Sequence, residues 1–322
     1  MDKHYGRGPL LLLAGRANLA LAMEIGSLLG ESPDGVTIRN FADGEIFVSI
    51  TRNVRGRDVF IIQPTGSPAD NLMELLLLID AAKRASAARV TAVIPYFGYG
   101  RQDRKDQPRV ALSAKLAANL VVAAGADRVI SIDFHQHQIQ GFFDIPVDHL
   151  LAAPVLTRHF LNKGIENPVV VAPDTGAAKM ARAFARWLQT SFAVIDKRRP
   201  TANVSEVLSV VGEVENKPCL IVDDMVDTAG TLSNAVVALK ERGATRVFAA
   251  VSHALLSGPA SERLQNSPIE EMVVTNTLHI SDEKRFPKLR VLSVADLLSK
   301  AIRHVHSNES VSQLFRIPPA NG

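Results

Sequence analysis

Short apolar runs rich in β-branched residues alternate along this chain with longer segments of helical periodicity. Strands are predicted over 58–63, 89–96, 128–133, 167–173, 192–196, 219–224 and 246–253. Helices are predicted over 71–85, 112–125, 177–189 and 231–243. Strands that are apolar on both faces and separated by helices are typical of parallel sheets covered on both sides. The pattern therefore predicts an α/β fold of mostly parallel sheets flanked by helices.

A weak internal repeat indicates that one α/β unit occurs twice. KRASAARVTAV, from Lys83, resembles KERGATRVFAAV, from Lys240, and RDVFIIQP aligns with KPCLIVDD at nearly the same offset. Chance similarity is the alternative, because a helix followed by such a strand is common in α/β proteins, but two matches favour duplication. The copies differ at one point, where Gln63-Pro64 stands in place of Asp223-Asp224.

The length of 322 residues, with 47% hydrophobic residues, is enough for two separate cores. We expect an N-terminal domain over 1–150, joined by the tail 303–318, and a C-terminal domain over 151–302. Leu10–Leu13 is predicted to be a strand and not a signal peptide, and no apolar run approaches the roughly 18 residues of a membrane span.

The charge balance argues against a nucleic-acid partner. The chain has 36 Lys and Arg against 33 Asp and Glu, and an excess of three over this length is too small for a duplex-binding surface. Two compact basic clusters, GRQDRK and DKRRP, suit a small polyanion better. Cys219 is the only cysteine, which excludes an internal disulfide and a cysteine-rich zinc site, and we expect a cytoplasmic protein.

The stretch CLIVDDMVDTAGT places two adjacent carboxylates, Asp223 and Asp224, at the end of a predicted buried strand. Parallel sheets bind ligands at the carboxyl ends of their strands, and the helix that follows can bind an anion at its N-terminus. The turn would bind a phosphate, and the two acids would bind hydroxyl groups. A phosphorylated sugar carries both kinds of group. The alternative is that Thr231 is a plain N-cap and the acids are solvated.

This stretch resembles the phosphoribosyl-diphosphate (PRPP) loop of type I phosphoribosyltransferase folds. The resemblance implies that Asp223 and Asp224 hold the 2- and 3-hydroxyls of a ribose. It also implies that the turn binds the 5-phosphate through Asp227, Thr228, Ala229, Gly230 and Thr231.

Further strings resemble the ribose-phosphate diphosphokinase (PRPP synthetase) family, from about residue 10 to Phe315. They are NFADGEIFVSI, PYFGYGRQDRK, DFHQHQIQGFFDIPVDHL, APDTGAAKMAR, IDKRRP and VSHALLSGPA. The resemblance implies two similar phosphoribosyltransferase-type domains and the conversion of MgATP and ribose 5-phosphate into PRPP and AMP. It also implies a homo-oligomer, a hexamer in this family.

The resemblance also assigns roles to individual residues. The implied ATP-binding residues are Phe41, Asp43, Gly44, Glu45, Arg101 and Gln102. His135 and Asp174 are the implied contacts of Mg²⁺, and Lys197 and Arg199 the implied catalytic cations, Arg199 also contacting ribose 5-phosphate. By themselves these strings have plainer explanations: DGE is an ordinary polar turn, and KRR before Pro200 is a solvated charge run.

Zinc ligation is an alternative for Asp133, His135 and His137, which alternate along the chain, but no second cluster completes four ligands. No role is assigned to His137. The sequence argues against two rival functions. A phosphoribosyltransferase that consumes PRPP would need only one α/β unit, and a non-catalytic regulatory subunit predicts damage to the sugar loop that the sequence does not show.

Three positions depart from the family pattern. Asp106-Gln107-Pro108 replaces a segment that often carries an Arg-Ser pair, and Ala111 stands where a proline is common. Both bear on the response to phosphate and ADP, although the tail 310–315 is retained. Ala177 replaces a usual glycine, and its methyl group is expected to crowd the backbone near Asp174.

Overall fold

The computed structural model describes residues 8–198 and 207–315, which form two compact units. Among the described residues, one unit contains 8–151 together with Thr277–His279 and 293–315. The other contains Ala152–Asn276 and Ile280–Leu292. The returning segment is longer than the expected tail 303–318, because it includes a whole helix that begins before residue 303.

The elements alternate as the sequence predicts. The strands are β1 (Leu10–Ala14), β2 (Val36–Asn40), β3 (Ile46–Ile50), β4 (Asp58–Ile62), β5 (Arg89–Ile94), β6 (Arg128–Ile132), β7 (Val147–Leu150), β8 (Val169–Ala172), β9 (Phe192–Arg198), β10 (Val207–Val211), β11 (Cys219–Val226), β12 (Val247–Ala254), β13 (Glu271–Thr275) and β14 (Leu289–Leu292). The helices are α1 (Leu19–Leu29), α2 (Asp70–Arg84), α3 (Ser113–Ala123), α4 (Ala153–Lys163), α5 (Ala178–Trp187), α6 (Gly230–Glu241), α7 (Ala260–Asn266) and α8 (Ala295–Ser307). Each predicted strand and helix is confirmed to within about two residues at either end.

The first unit has a five-stranded parallel sheet in the order β1-β4-β5-β6-β7. Its central strands β4 and β5 are buried along their whole length, as expected for a sheet covered on both faces. The predictions from sequence did not include β2 and β3, which form a separate antiparallel hairpin. These two strands are only half-buried, so they lack the continuous apolar pattern of the sheet strands.

The second unit has a seven-stranded sheet in the order β10-β9-β8-β11-β12-β13-β14. All neighbours are parallel except β10 and β9, so the predicted α/β class with mostly parallel sheets is confirmed. The core of this unit centres on β11, β12 and the buried face of α6. Among the described residues, none of the helices combines the length and apolar character that a bilayer crossing needs.

A buried charged cluster attaches α8 to the sheet of the first unit. Asp58, at the start of β4, is fully buried and accepts a hydrogen bond from Arg89 Nε at 2.6 Å. The same carboxylate is 2.7 Å from Nδ1 of His306 on α8, and Arg89 Nη2 also donates to the Val305 carbonyl at 3.1 Å. A buried charge is tolerated only when it is paired and hydrogen-bonded, and here all three groups satisfy one another.

Candidate active site

The acid pair lies within β11, two residues before the end of that strand. β8 pairs with β11 only over Cys219–Ile221, whereas β12 continues to pair as far as Val226. The strand therefore projects past its β8 neighbour and carries Asp223 and Asp224 with it. Continuing the register places Asp174, in the turn after β8, at the level of the two acids. Three carboxylates thus lie together at the carboxyl edge of the sheet.

The pKa of Asp223 is raised in these surroundings. Burial raises the pKa of Asp223 well above its usual range, and the neighbouring carboxylates of Asp224 and Asp174 raise it further. The Asp224 backbone N–H donates to Asp223 Oδ1 at 2.9 Å, which opposes the shift only in part. An ionised carboxylate that is buried beside other carboxylates destabilises the folded state. Groups of this kind are typical of binding or catalytic positions.

The turn that follows, residues 227–231, leads into α6. Ala229 is the N-cap residue and adopts a left-handed conformation, φ 60° and ψ 9°, although it has a Cβ and is buried. For a residue other than glycine that region costs about 1–2 kcal/mol. Thr231 lies inside α6, so the alternative that it is a plain N-cap is wrong. The turn is held in a costly conformation at a helix N-terminus, where the macrodipole favours an anion.

The β8–α5 turn orients Asp174. The backbone N–H of Ala177 donates to Asp174 Oδ1 at 3.1 Å. Ala177 has φ −80° and ψ −3°, an ordinary right-handed conformation that any residue adopts. The backbone at this position therefore does not require glycine, and we find no conformational strain from the alanine.

In the first unit, the FADGE sequence (residues 41–45) is the turn of the β2–β3 hairpin. The Phe41 N–H donates to the Glu45 carbonyl at 2.8 Å, and the Glu45 N–H donates to Asp43 Oδ1 at 3.1 Å. Gly44 has φ +98°, in the region that favours glycine. These bonds close the turn and hold Asp43 and Glu45 in one small loop.

The ring of Phe41 is partly exposed to solvent and packs against the side chains of Phe47 and Arg39. It is 44% exposed, and its ring meets that of Phe47 edge-on with centroids 5.8 Å apart. The Arg39 guanidinium lies 4.9 Å from the centroid of Phe41 and 4.5 Å from that of Phe47. Arg39 was not predicted from sequence, because its partners are set by the register of the hairpin. The arrangement gives an exposed aromatic face with a defined orientation.

Arg101 and Gln102 line a polar cavity of about 180 Å³ in the first unit. His135 also lines it, so the structure brings together three residues that the sequence singled out separately. Two of the departures from the family pattern lie here too, since Asp106 and Ala111 also line the cavity. Gln102 is held in place through its carbonyl, which accepts from the Ala114 N–H at 3.2 Å.

His137 is part of a histidine pair. The Phe134 N–H donates to Nε2 of buried His149 at 2.9 Å, so His149 carries its proton on Nδ1. That atom is 3.3 Å from Nδ1 of His137.

Across residues 8–198 and 207–315, no group of three His, Cys, Asp or Glu side chains is placed to hold a metal ion. The zinc alternative therefore has no support in the part of the chain that the structure describes.

The first unit has a structural amide where the second has its acid pair. Gln63 is fully buried, and its Oε1 accepts from the Ala17 N–H at 3.1 Å. Its Nε2 donates to Glu74 Oε2, also at 3.1 Å, and Glu74 in turn pairs with Arg16. Gln63 thus fills the position with a neutral, hydrogen-bonded group, which explains why the acid pair does not recur in this unit.

Three of the sequence predictions fall at the limits of the described residues. Lys197 lies near the end of β9, whose backbone is paired with β10. Arg199 lies outside the described residues. The retained tail forms a short 3₁₀ helix, Val311–Phe315, and His304 Nδ1 donates to the Ser310 carbonyl at 2.8 Å just before it.

The chain has two α/β units, and the second carries an acid pair followed by a turn whose left-handed Ala229 caps a helix. This fold and site are those of the phosphoribosyltransferase type. Residues 10–125 match the model of the N-terminal domain of ribose phosphate pyrophosphokinase. Residues 199–316 match that of the phosphoribosyl synthetase-associated domain.

Known proteins match along nearly the whole chain. The ribose-phosphate pyrophosphokinase of Chlorobaculum tepidum is 51% identical over 308 residues, 95% of either chain. That of Clostridium tetani is 51% identical over 313 residues, 96% of this chain and 98% of the relative. The crystal structure of phosphoribosylpyrophosphate synthetase from Mycobacterium smegmatis has a TM-score of 0.88 and 45% identity, and covers 93% of this chain and 99% of that one. The chain belongs to the ribose-phosphate pyrophosphokinase family.

Proposed function

We propose that this chain transfers the diphosphoryl group of MgATP to the anomeric hydroxyl of ribose 5-phosphate, giving PRPP and AMP. The observation that carries the proposal is the acid pair of β11 followed by the 227–231 turn with its left-handed Ala229, in a chain about half identical to enzymes of that name. Formation of AMP from MgATP and ribose 5-phosphate, and not in the absence of ribose 5-phosphate, tests it.

The second unit binds the sugar in this proposal. Asp223 and Asp224 accept hydrogen bonds from the ribose hydroxyls, because ionised carboxylates are acceptors only. The 227–231 turn binds the 5-phosphate at the N-terminus of α6, with the Thr228 and Thr231 hydroxyls as further donors. The raised pKa of Asp223 supports this role, since the hydroxyls would replace the solvation that burial removes.

The first unit binds ATP. The exposed face of Phe41 stacks on the adenine, and Asp43 and Glu45 accept from its amine or from the ribose. Arg101 and Gln102 bind the phosphates, because a guanidinium donates two parallel hydrogen bonds to phosphate oxygens. The polar lining of the cavity beside Arg101 supports this assignment.

Mg²⁺ is the proposed cofactor, contacted by His135 and Asp174. Mg²⁺ keeps several waters and uses one or two protein ligands together with substrate phosphates, so such an ion does not require a dedicated cluster of side chains. When bound it neutralises charge on the ATP phosphates. The hydrogen bond from Ala177 holds the Asp174 carboxylate in one orientation for this purpose.

The reaction is a direct displacement. The anomeric oxygen forms a bond to the β-phosphorus, and the bond from that phosphorus to the oxygen bridging to the α-phosphorus breaks. AMP leaves with that oxygen, and the proton of the anomeric hydroxyl is released to solvent. Lys197 and Arg199 stabilise the negative charge that develops on the transferred group. Such transfers need mainly positioning and electrostatics, which this set of acids, cations and backbone groups supplies.

We propose a homo-oligomer, a hexamer, working in the cytoplasm on ATP and ribose 5-phosphate and without nucleic-acid or membrane partners. The small net charge of +3 supports the absence of nucleic acid. Sedimentation of the purified protein tests the assembly.

Replacing Phe41 with alanine is expected to raise the KM for ATP about tenfold, because stacking on a base is worth about 1–3 kcal/mol. The KM for ribose 5-phosphate should not change. The Tm should change little, since the side chain is 44% exposed.

Met73→Ala is the matched control, as Met73 is a comparably exposed apolar residue, 49%, on α2. Steady-state kinetics with each substrate varied in turn make the comparison. An unchanged KM for ATP in the Phe41 variant would contradict the stacking role.

A further inference from the structure

The segment that connects β12 to α7 lies against the 227–231 turn and its approach. The N–H groups of Leu255 and Leu256 both donate to the Val226 carbonyl, at 2.9 and 3.2 Å. The next N–H, of Ser257, donates to the Asp227 carbonyl at 2.9 Å. This segment belongs to the VSHALLSGPA string, which contains none of the residues proposed to bind ATP, Mg²⁺ or the sugar phosphate.

A side chain continues this series of bonds to consecutive carbonyls. Nη1 of Arg263, on α7, donates to the Thr228 carbonyl at 3.0 Å. The same nitrogen lies 3.8 Å from the point that a Cβ on Gly230 would occupy, so the guanidinium is beside the turn at the start of α6. Three successive carbonyls, those of residues 226, 227 and 228, are therefore held from one side.

The turn needs support of this kind. The left-handed conformation of buried Ala229, at φ 60°, is disfavoured for a residue with a Cβ. A disfavoured conformation persists only where the surrounding structure enforces it. The carbonyl that Arg263 holds belongs to Thr228, immediately before Ala229, so the bond acts at the strained position.

The far side of the segment is anchored as well. Lys284 Nζ donates to the Leu255 carbonyl at 2.7 Å, and Ser261 Oγ donates to the Lys284 carbonyl at 2.8 Å. Arg263 thus extends from an anchored support, which distinguishes it from a freely rotating surface arginine.

We infer that Arg263 is a positioning residue for the sugar-phosphate site: it holds the Thr228 carbonyl so that the 227–231 turn is preformed, and it adds positive charge beside the bound 5-phosphate. The inference rests on the proposed function, because it takes the turn to be the phosphate subsite. Preforming a site removes an ordering cost from binding, so loss of Arg263 weakens binding of the sugar phosphate and not the chemical step.

The test compares Arg263→Met, Arg263→Lys and the control Arg242→Met with the wild-type protein. Arg242 is an exposed arginine at the opposite end of α6, so its variant removes the same charge away from the turn. Calorimetry measures the Kd for ribose 5-phosphate without ATP. Kinetics measure kcat and both KM values.

Arg263→Met is expected to raise the Kd and KM for ribose 5-phosphate about tenfold, with kcat within twofold and the KM for ATP unchanged. Arg263→Lys should recover part of the loss, and Arg242→Met should behave as wild type. A lower Tm with unchanged Kd and KM would show that Arg263 only joins α7 to α6, and would overturn the inference. A fall in kcat alone would overturn it too.

The two proposals fail in different ways. Wild-type protein that binds ribose 5-phosphate but forms no AMP overturns the proposed reaction, and the calorimetric comparison of the Arg263 variants still decides the positioning role. Wild-type protein that binds no ribose 5-phosphate overturns both.

Discussion

Replacing Asp223 with asparagine is expected to lower kcat/KM for ribose 5-phosphate by about 10²-fold and, at the same time, to raise the Tm of the free protein. Activity falls because a hydrogen bond to a charged group is worth about 1.5–3 kcal/mol, and asparagine cannot supply the charge. Stability rises because asparagine is isosteric but carries no charge among the carboxylates of Asp224 and Asp174.

The pH dependence follows from the raised pKa of Asp223. The folded state binds the proton of this carboxyl more tightly than the unfolded state does, so the contribution of Asp223 to stability is fully present below the ordinary Asp pKa of about 3.9. That contribution is lost as the pH rises through the higher folded-state pKa. The Tm difference between the variant and the wild type should therefore be near zero at about pH 4 and grow toward pH 8, reaching about 2–4 °C if about 1 kcal/mol is recovered.

Thermal unfolding across this pH range, beside the activity assay, makes the comparison. Asp282→Asn is the control, because Asp282 is fully exposed and its replacement should leave both quantities unchanged. A variant whose Tm is lower than that of the wild type at pH 8 would contradict the assigned burial and crowding.

Replacing Asp58 with alanine is expected to destabilise the first unit by about 3–5 kcal/mol. The change leaves the buried Arg89 guanidinium without its carboxylate, and breaking one side of a buried ion pair costs that much. It also removes the 2.7 Å contact to His306, so α8 loses its charged attachment to the sheet. Urea unfolding, with hydrogen exchange of the α8 amides, measures the effect.

Asp80→Ala is the matched control, because Asp80 forms an exposed ion pair with Arg84 at 2.8 Å, four residues along α2. Exposed pairs contribute about 0–1 kcal/mol, so this variant should unfold close to the wild type. The double variant Asp58→Leu with Arg89→Met should recover most of the loss, since it removes both charges. Equal losses for Asp58→Ala and Asp80→Ala would contradict the account.

The strands and helices were predictable because their signals are local. An apolar run such as 58–63 is buried on both faces wherever its neighbours lie, so the sequence alone indicates a parallel sheet. The β2–β3 hairpin was missed because its strands are half-buried and lack that pattern. The strand β11 was predicted to end at Asp224, and it reaches Val226 because pairing with β12 continues past the acids.

The acid pair and the 227–231 turn were also predictable from sequence, since one short string contains them. The side chains that hold the site and α8 in place were not predictable. Arg263 meets Thr228 from 35 positions away, and His306 meets Asp58 from 248 positions away. Contacts of that kind depend on how the elements pack, and no local pattern in either segment indicates the partner.

The identity of the nucleotide product, AMP or ADP, tests the central claim that a diphosphoryl group is transferred. Purified protein is mixed with MgATP and ribose 5-phosphate, and the nucleotide products are followed by ³¹P NMR. We expect AMP and PRPP to appear in equal amounts, and no AMP when ribose 5-phosphate is omitted. Formation of ADP in place of AMP would show transfer of a single phosphoryl group, and no nucleotide product at any phosphate concentration would show no transfer at all. Either result would contradict the proposed diphosphoryl transfer.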